Sequence, residues 1–136
     1  MITDERELQD LARQLFLRDV FSRQLQMDLK HISAGSATIS MTITQDSSNA
    51  HQIWHGGAAF TFADMAFGCA ALYGGPTLTI GSDFTFMSPG IVGDSVTAEA
   101  IQIARRNQTG IFQVTLASST GEVLSVGVFK GRWTTR

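Results

Sequence analysis

Asp64 sits among residues that make a carboxylate hard to keep: Ala63 and Met65 flank it, and Phe60 and Phe67 lie one helical turn away on either side. If this run is a buried helix, the charge is costly unless it is hydrogen-bonded, paired or used at a site. A lone mid-helix Asp more often faces solvent or anchors backbone than does chemistry. The residues ahead of it change that weighting. His55-Gly56-Gly57 immediately precedes the apolar run. Paired glycines let the backbone approach a ligand closely. The first N–H groups of a helix lack internal partners and carry partial positive charge. Such donors suit a carbonyl whose oxygen gains negative charge during attack. Asn49 could hold a water or that carbonyl. His55 could act as acid or base, or fix the loop through backbone, and the second role is favoured.

If the helix starts near Gly57, Asp64 is seven residues on, roughly 10 Å along the axis at about 1.5 Å per residue. A general base must lie within roughly 3 Å of the water it activates. A carbonyl held at the helix start is therefore out of reach of Asp64 on the same helix. If both act in one reaction, they come from two copies of the chain, with two antiparallel helices related by a two-fold axis. The expected unit is at least a homodimer with shared sites.

The elements that must position these groups follow from periodicity. Leu8, Leu11, Ala12, Leu15 and Phe16 form one apolar stripe in residues 4–21, which predicts an amphipathic helix with Thr3 as its N-cap. A strand is expected near 26–31, and Ala34-Gly35 marks the turn after it. In residues 36–44, Ala37, Ile39, Met41 and Ile43 alternate with Ser and Thr, which predicts a strand solvated on one face. Residues 58–72 repeat apolar side chains at helical spacing nearly all round, so this helix should be buried, ending at Gly74-Gly75-Pro76. Four strands are expected at about 77–87, 94–105, 110–118 and 123–133. A helix apolar on every side needs covering on every side, and a curved antiparallel sheet supplies that. The fold class is α+β, with no alternation of strands and helices to build a parallel sheet.

The chain has 136 residues, which suits a single domain over 1–136 with an N-terminal helical segment at 1–24. A net charge of -2 excludes a nucleic-acid binder that relies on a broad basic field. Cys69 is the single cysteine, so no intramolecular disulfide can form. No run approaches the roughly 18 apolar residues a membrane span requires. The opening residues carry no basic stretch followed by an apolar core. A cytoplasmic protein is expected, with no membrane partner.

The spacing Asn49-x-His51-Gln52-x-x-His55-Gly56-Gly57-x-x-Phe60-x-x-Ala63-Asp64-x-Ala66-Phe67 resembles the signature of hotdog-fold acyl-CoA thioesterases of the phenylacetate-pathway (PaaI-like) type. The resemblance continues through Asp83-Phe84-x-Phe86-Met87-x-Pro89-Gly90-x-x-Gly93-Asp94 and the later stretches Arg105 to Gly110 and Lys130 to Arg132, covering about residues 25–133. It implies a hotdog fold, with a sheet wrapped around a long central helix. It also implies dimers that often pair into homotetramers, and hydrolysis of an acyl-CoA such as phenylacetyl- or hydroxyphenylacetyl-CoA. By the same resemblance Asp64 is the catalytic carboxylate, the Gly56 or Gly57 N–H polarises the carbonyl, and Asn49 and His55 position substrate or water. A further hydroxyl is expected on the strand after the helix, with Thr79 the nearest match and Ser82 also close. Trp54 and Ala71 depart from the family pattern, and Trp54 would reshape the acyl pocket. Arg105, Arg106, Lys130 and Arg132 are candidates for the CoA phosphates. No metal and no separate cofactor is required, since CoA belongs to the substrate.

His51 and His55 are four apart, but they precede the predicted helix and lack the Glu of a zinc-protease motif. Cys69 lies in the apolar helix with no nearby His and reads as a small core residue. No P-loop lysine and no Gly-x-Ser-x-Gly elbow is present. Two alternatives to hydrolysis stay open on this fold: a hydratase or dehydratase acting on acyl thioesters, and a non-catalytic acyl-CoA-binding protein.

Overall fold

The structure, a computed structural model, describes residues 1–134. Helix α1 spans Glu5–Arg18 and buries Leu8 and Ala12 completely. Its N-cap is Asp4, not Thr3: the Asp4 carboxylate accepts the Arg6 N–H at 3.0 Å. An Asp one residue closer to the first turn adds charge complementarity to the cap. A 3-10 turn at Ser22–Leu25 leads into β1 (Asp28–Ser33), two residues later than expected. Gly35, at φ +85°, makes the tight turn into β2 (Ser36–Thr42). Ala37, Ile39 and Met41 of β2 are buried, as its alternation requires, but Ser40 on the other face is buried too. Residues 25–27 come across that face and line a cleft with Ser40.

Helix α2 (Gly56–Ala71) runs across the concave side of the sheet. Nine of its sixteen residues are buried, Ala63 and Phe62 fully, which is why almost no polar face is written into it. A further 3-10 turn at Leu72–Gly74 closes the helix ahead of Pro76. Strands β3 (Thr77–Phe86), β4 (Ser95–Arg106), β5 (Thr109–Ala117) and β6 (Val123–Trp133) follow.

All six strands join one antiparallel sheet in the order β1-β2-β4-β5-β6-β3. β3 leaves α2 and pairs with the last strand, so it forms a sheet edge. The sheet grips the helix through rings. Phe67 of α2 packs on Phe112 (5.1 Å between centroids) and Phe129 (5.8 Å). Each fully buried Phe contributes roughly 1.5–3 kcal/mol. Gly131 leaves room for Phe67: a Cβ there would lie 2.3 Å from the ring. At the far end, Trp133 Nε1 donates to the Ala71 carbonyl at 2.8 Å and ties β6 to the helix C-terminus. Among the described residues no helix is long and apolar enough to cross a membrane.

Candidate active site

Asp64 projects from the middle of α2 toward β3, not into the sheet core. It is half-buried, and Thr79 Oγ1 of β3 donates to its Oδ1 at 2.6 Å. Desolvation raises the Asp64 pKa above the ordinary carboxylate value; the Thr79 hydrogen bond opposes that, and the charge of Asp19 adds to it. The carboxylate lines a cleft of about 220 Å³ with Thr77 and Thr79 of β3, Asp19 and Ser22 beyond α1, and apolar walls that include Leu15, Met65 and Leu72. Of the two candidate hydroxyls on β3, Thr79 makes the contact. The register sets Ser82 opposite Phe129, further along the strand, where it is exposed.

The start of α2 is arranged differently. His55 is the N-cap, and its Nδ1 accepts the Gly57 N–H at 2.8 Å. This is the loop-fixing role expected of His55, and it fixes the tautomer, since Nδ1 must be unprotonated to accept. The same contact occupies the Gly57 N–H. The Gly56 and Ala58 N–H groups have no hydrogen-bond partner among the described residues and are the open donors of this helix start. Asn49 anchors the approach: its Oδ1 accepts from His51 N (2.9 Å) and Ile53 N (3.4 Å), closing a loop in which Gln52 takes φ +62°. A positive φ at a non-glycine residue is a strained conformation that its surroundings must impose.

Asn49, Trp54 and Gly56 line a mainly apolar cleft of about 310 Å³ with Phe86, Met87 and Leu124. Trp54 is 5 % exposed and packs edge-on to Phe62, so it forms part of the cleft's inner wall rather than a movable gate. His55 and Gly57 open instead on a separate cleft beside Phe21 and Leu25. Asp64 belongs to neither. The residues that run together from Asn49 to Asp64 in sequence thus sit in three separate places within the one chain.

The basic candidates also divide. Arg105 is held by aromatic rings, its guanidinium 4.0 Å from the Trp133 ring centroid and 5.5 Å from that of Tyr73, with Nη1 donating to Tyr73 Oη at 3.2 Å. It braces the end of the sheet. Arg106, Lys130 and Arg132 are exposed. Gly131 faces the helix, so alternation turns Lys130 and Arg132 to the outer face of the sheet. Arg106 joins them there, because both Arg106 and Arg132 pair with Thr109. Cys69 is fully buried, and desolvation pushes its thiol up to about 12, which makes it inert as a nucleophile. No group of three metal-ligating side chains occurs among the described residues.

Two residues of the Asp64 cleft, Asp19 and Ser22, carry no sequence signal. They come from the N-terminal segment, and they enter because the turn after α1 packs against α2 while α1 itself packs on β1 and on the turn that closes α2.

An antiparallel sheet wrapped around one long buried helix is the hotdog fold. The chain belongs to the thioesterase superfamily, whose family model matches residues 51–125. It is 30% identical over 122 residues to the acyl-coenzyme A thioesterase PaaI of Escherichia coli (strain K12), covering 89% of this chain and 86% of that protein. The structure of the E. coli PaaI protein, from the phenylacetic acid degradation operon, superposes with a TM-score of 0.91 at 26% identity over 96% of both chains. A Streptococcus mutans UA159 protein solved with acetyl CoA shares the fold alone, with a TM-score of 0.78 and 20% identity over 81% of this chain and 90% of its own.

Proposed function

We propose that this chain hydrolyses acyl-CoA thioesters, with Asp64 as the catalytic carboxylate and a second copy of the chain completing each site. The observation that carries the reading is Asp64 itself: a carboxylate half-buried on the central helix, fixed by Thr79 and open to a cleft. An acyl-CoA is the substrate class of the E. coli relative. In the reaction, the open N–H donors at one copy's helix start polarise the thioester carbonyl. Asp64 of the other copy takes a proton from water as its oxygen attacks the carbonyl carbon. The C–S bond breaks, the acid is released, and CoA departs as a thiolate that regains a proton. Direct attack by the carboxylate, followed by hydrolysis of the anhydride, uses the same groups.

The separation of the helix start from Asp64 along α2 supports the shared site. So does β3, a ten-residue edge strand whose exposed Leu78 and Ile80 leave an apolar, unpaired border. Such an edge favours pairing with another strand, and a second copy's β3 would extend the sheet. Pairing of two such dimers gives a tetramer, which light scattering would measure. The apolar cleft of Asn49, Trp54 and Phe86 suits an aryl or medium-chain acyl group, and phenylacetyl- or hydroxyphenylacetyl-CoA is the first choice in view of the E. coli relative. Arg106, Lys130 and Arg132 form an exposed basic patch suited to the CoA phosphates.

Mixed dimers test the reading. Gly56→Pro removes one helix-start donor at a position where Pro fits the first turn. His55 already has φ -65° and ψ 131°, which a following Pro accepts. Each variant alone should be inactive, and a purified Gly56→Pro/Asp64→Asn mixed dimer should regain about half the wild-type rate through one intact site. An inactive mixed dimer would overturn the shared site. A panel of acyl-CoA substrates ranked by kcat/KM, with an enoyl-CoA included for hydration, identifies the acyl group and the reaction.

A further inference from the structure

We propose that Asp19, at the end of the N-terminal helix, is a positioning residue for the Asp64 carboxylate: a second acid in the same cleft that strengthens Asp64 as a base. Asp19 is the C-cap of α1, and its N–H donates to the Leu15 carbonyl at 2.9 Å. Its side chain is fixed as well, with Oδ1 accepting the Ser22 N–H at 3.1 Å. Asp19 is thereby held in the lining of the same cleft as Asp64. The helix stripe brings it there: Leu8 and Ala12 dock α1, and Leu15 carries its last turn to the cleft.

The charges around Asp64 do not cancel. From α2 the cleft receives Asp64, from the end of α1 Asp19, from the following turn the neutral Ser22, and from β3 the neutral Thr77 and Thr79. No Lys, Arg or His lines it among the described residues. Arg18 and Arg23 flank Asp19 in sequence, but neither lines the cleft, and Arg23 Nη1 donates to the Leu17 carbonyl at 3.2 Å. A negative charge in a partly desolvated cleft disfavours ionisation of a second carboxyl there, and a carboxylate whose proton is held more tightly is the stronger base. The Asp19 charge acts on Asp64 in this direction. A base matched to the pH at which it works transfers protons more effectively than an ordinary exposed Asp. The N-terminal helix then does more than cap the domain: beside the larger effects of burial and the Thr79 hydrogen bond, it adds to the basicity of the site.

The functional part of this inference rests on the hydrolase reading above, so the test has one readout that needs no substrate. Asp19→Asn keeps the side-chain oxygen that accepts from Ser22 and removes only the charge. The titration midpoint of the Asp64 carboxyl carbon, followed by NMR, should fall by roughly half a pH unit. The acid limb of log kcat/KM should move down with it, and Asp19→Glu should return both toward wild type. An unchanged or raised midpoint in Asp19→Asn overturns the proposal. Equal shifts in the Asn and Glu variants would trace the effect to shape rather than charge and overturn it as well. If the titration shifts as expected but Asp64→Asn still hydrolyses substrate, the hydrolase role of Asp64 falls while the coupling stands.

Discussion

Thr79 Oγ1 donates a 2.6 Å hydrogen bond to Asp64 Oδ1, joining the edge strand β3 to the central helix at the carboxylate. Two effects of opposite sign meet there. Burial disfavours the charge, and the Thr79 hydroxyl favours it. Burial is the larger, so the net displacement is upward. The outcome is a carboxylate that is held in place and is a better base than a solvated Asp.

Thr79→Val keeps the shape and removes the donor. The charged form of Asp64 then loses its partner while the desolvation stays. The acid limb of the pH–rate profile should rise, opposite in sign to the shift expected for Asp19→Asn. A limb that falls or stays fixed would show that the hydroxyl does not support the charged form.

Asp64→Asn should stabilise the fold while removing activity. The Asp64 pKa is raised in the folded state, so its charge opposes folding above the unfolded value of about 3.9. That penalty is relieved as pH falls through the raised folded value. Near neutral pH the variant should melt a few degrees higher, roughly the gain typical when a site's strained charge is removed. The difference should shrink in acid. A melting point below wild type at neutral pH would contradict this.

Gly131→Ala probes the grip of the sheet on α2. The new Cβ would lie 2.3 Å from Phe67 Cζ and 2.8 Å from Thr77 Cγ2. Phe67 is wedged between Phe112 and Phe129 and cannot swing clear without disturbing both. Overpacking of this kind costs about 1–3 kcal/mol, readable from the urea midpoint.

The central features of this arrangement are written in the sequence because each has a local physical cause. The all-apolar surface of residues 58–72 required a covered helix, and the helix is α2. The strict alternation of Ala37, Ile39 and Met41 required a strand, and it is β2. The helix rise alone separated Gly57 from Asp64. The features that local pattern does not carry depend on tertiary approach. Thr79 is the nearer match in sequence but Ser82 is close behind it, and only the folded strand sets Thr79 against Asp64. Arg105 reads as a surface cation until Trp133 and Tyr73 come up against it. Asp19 and Ser22 enter the cleft only because the turn after α1 packs against α2.

His55→Ala should cost roughly 1 kcal/mol, the usual worth of an N-cap, since the Gly57 N–H loses its acceptor. His55→Asn can cap in its place and should recover most of that loss in thermal melts. If His55→Asn restores stability and also full turnover, His55 serves the helix and not the chemistry. Turnover lost with stability intact would assign His55 a second role at the site.

The most direct measurement is single-turnover hydrolysis of an acyl-CoA by Asp64→Asn beside wild type, with CoA affinity measured in parallel. Losing a positioned base removes on the order of a hundredfold to ten-thousandfold in rate. The expected result is a loss of that size in the chemical step with CoA binding unchanged. Turnover by Asp64→Asn at the wild-type rate would contradict the assignment of Asp64 as the catalytic carboxylate.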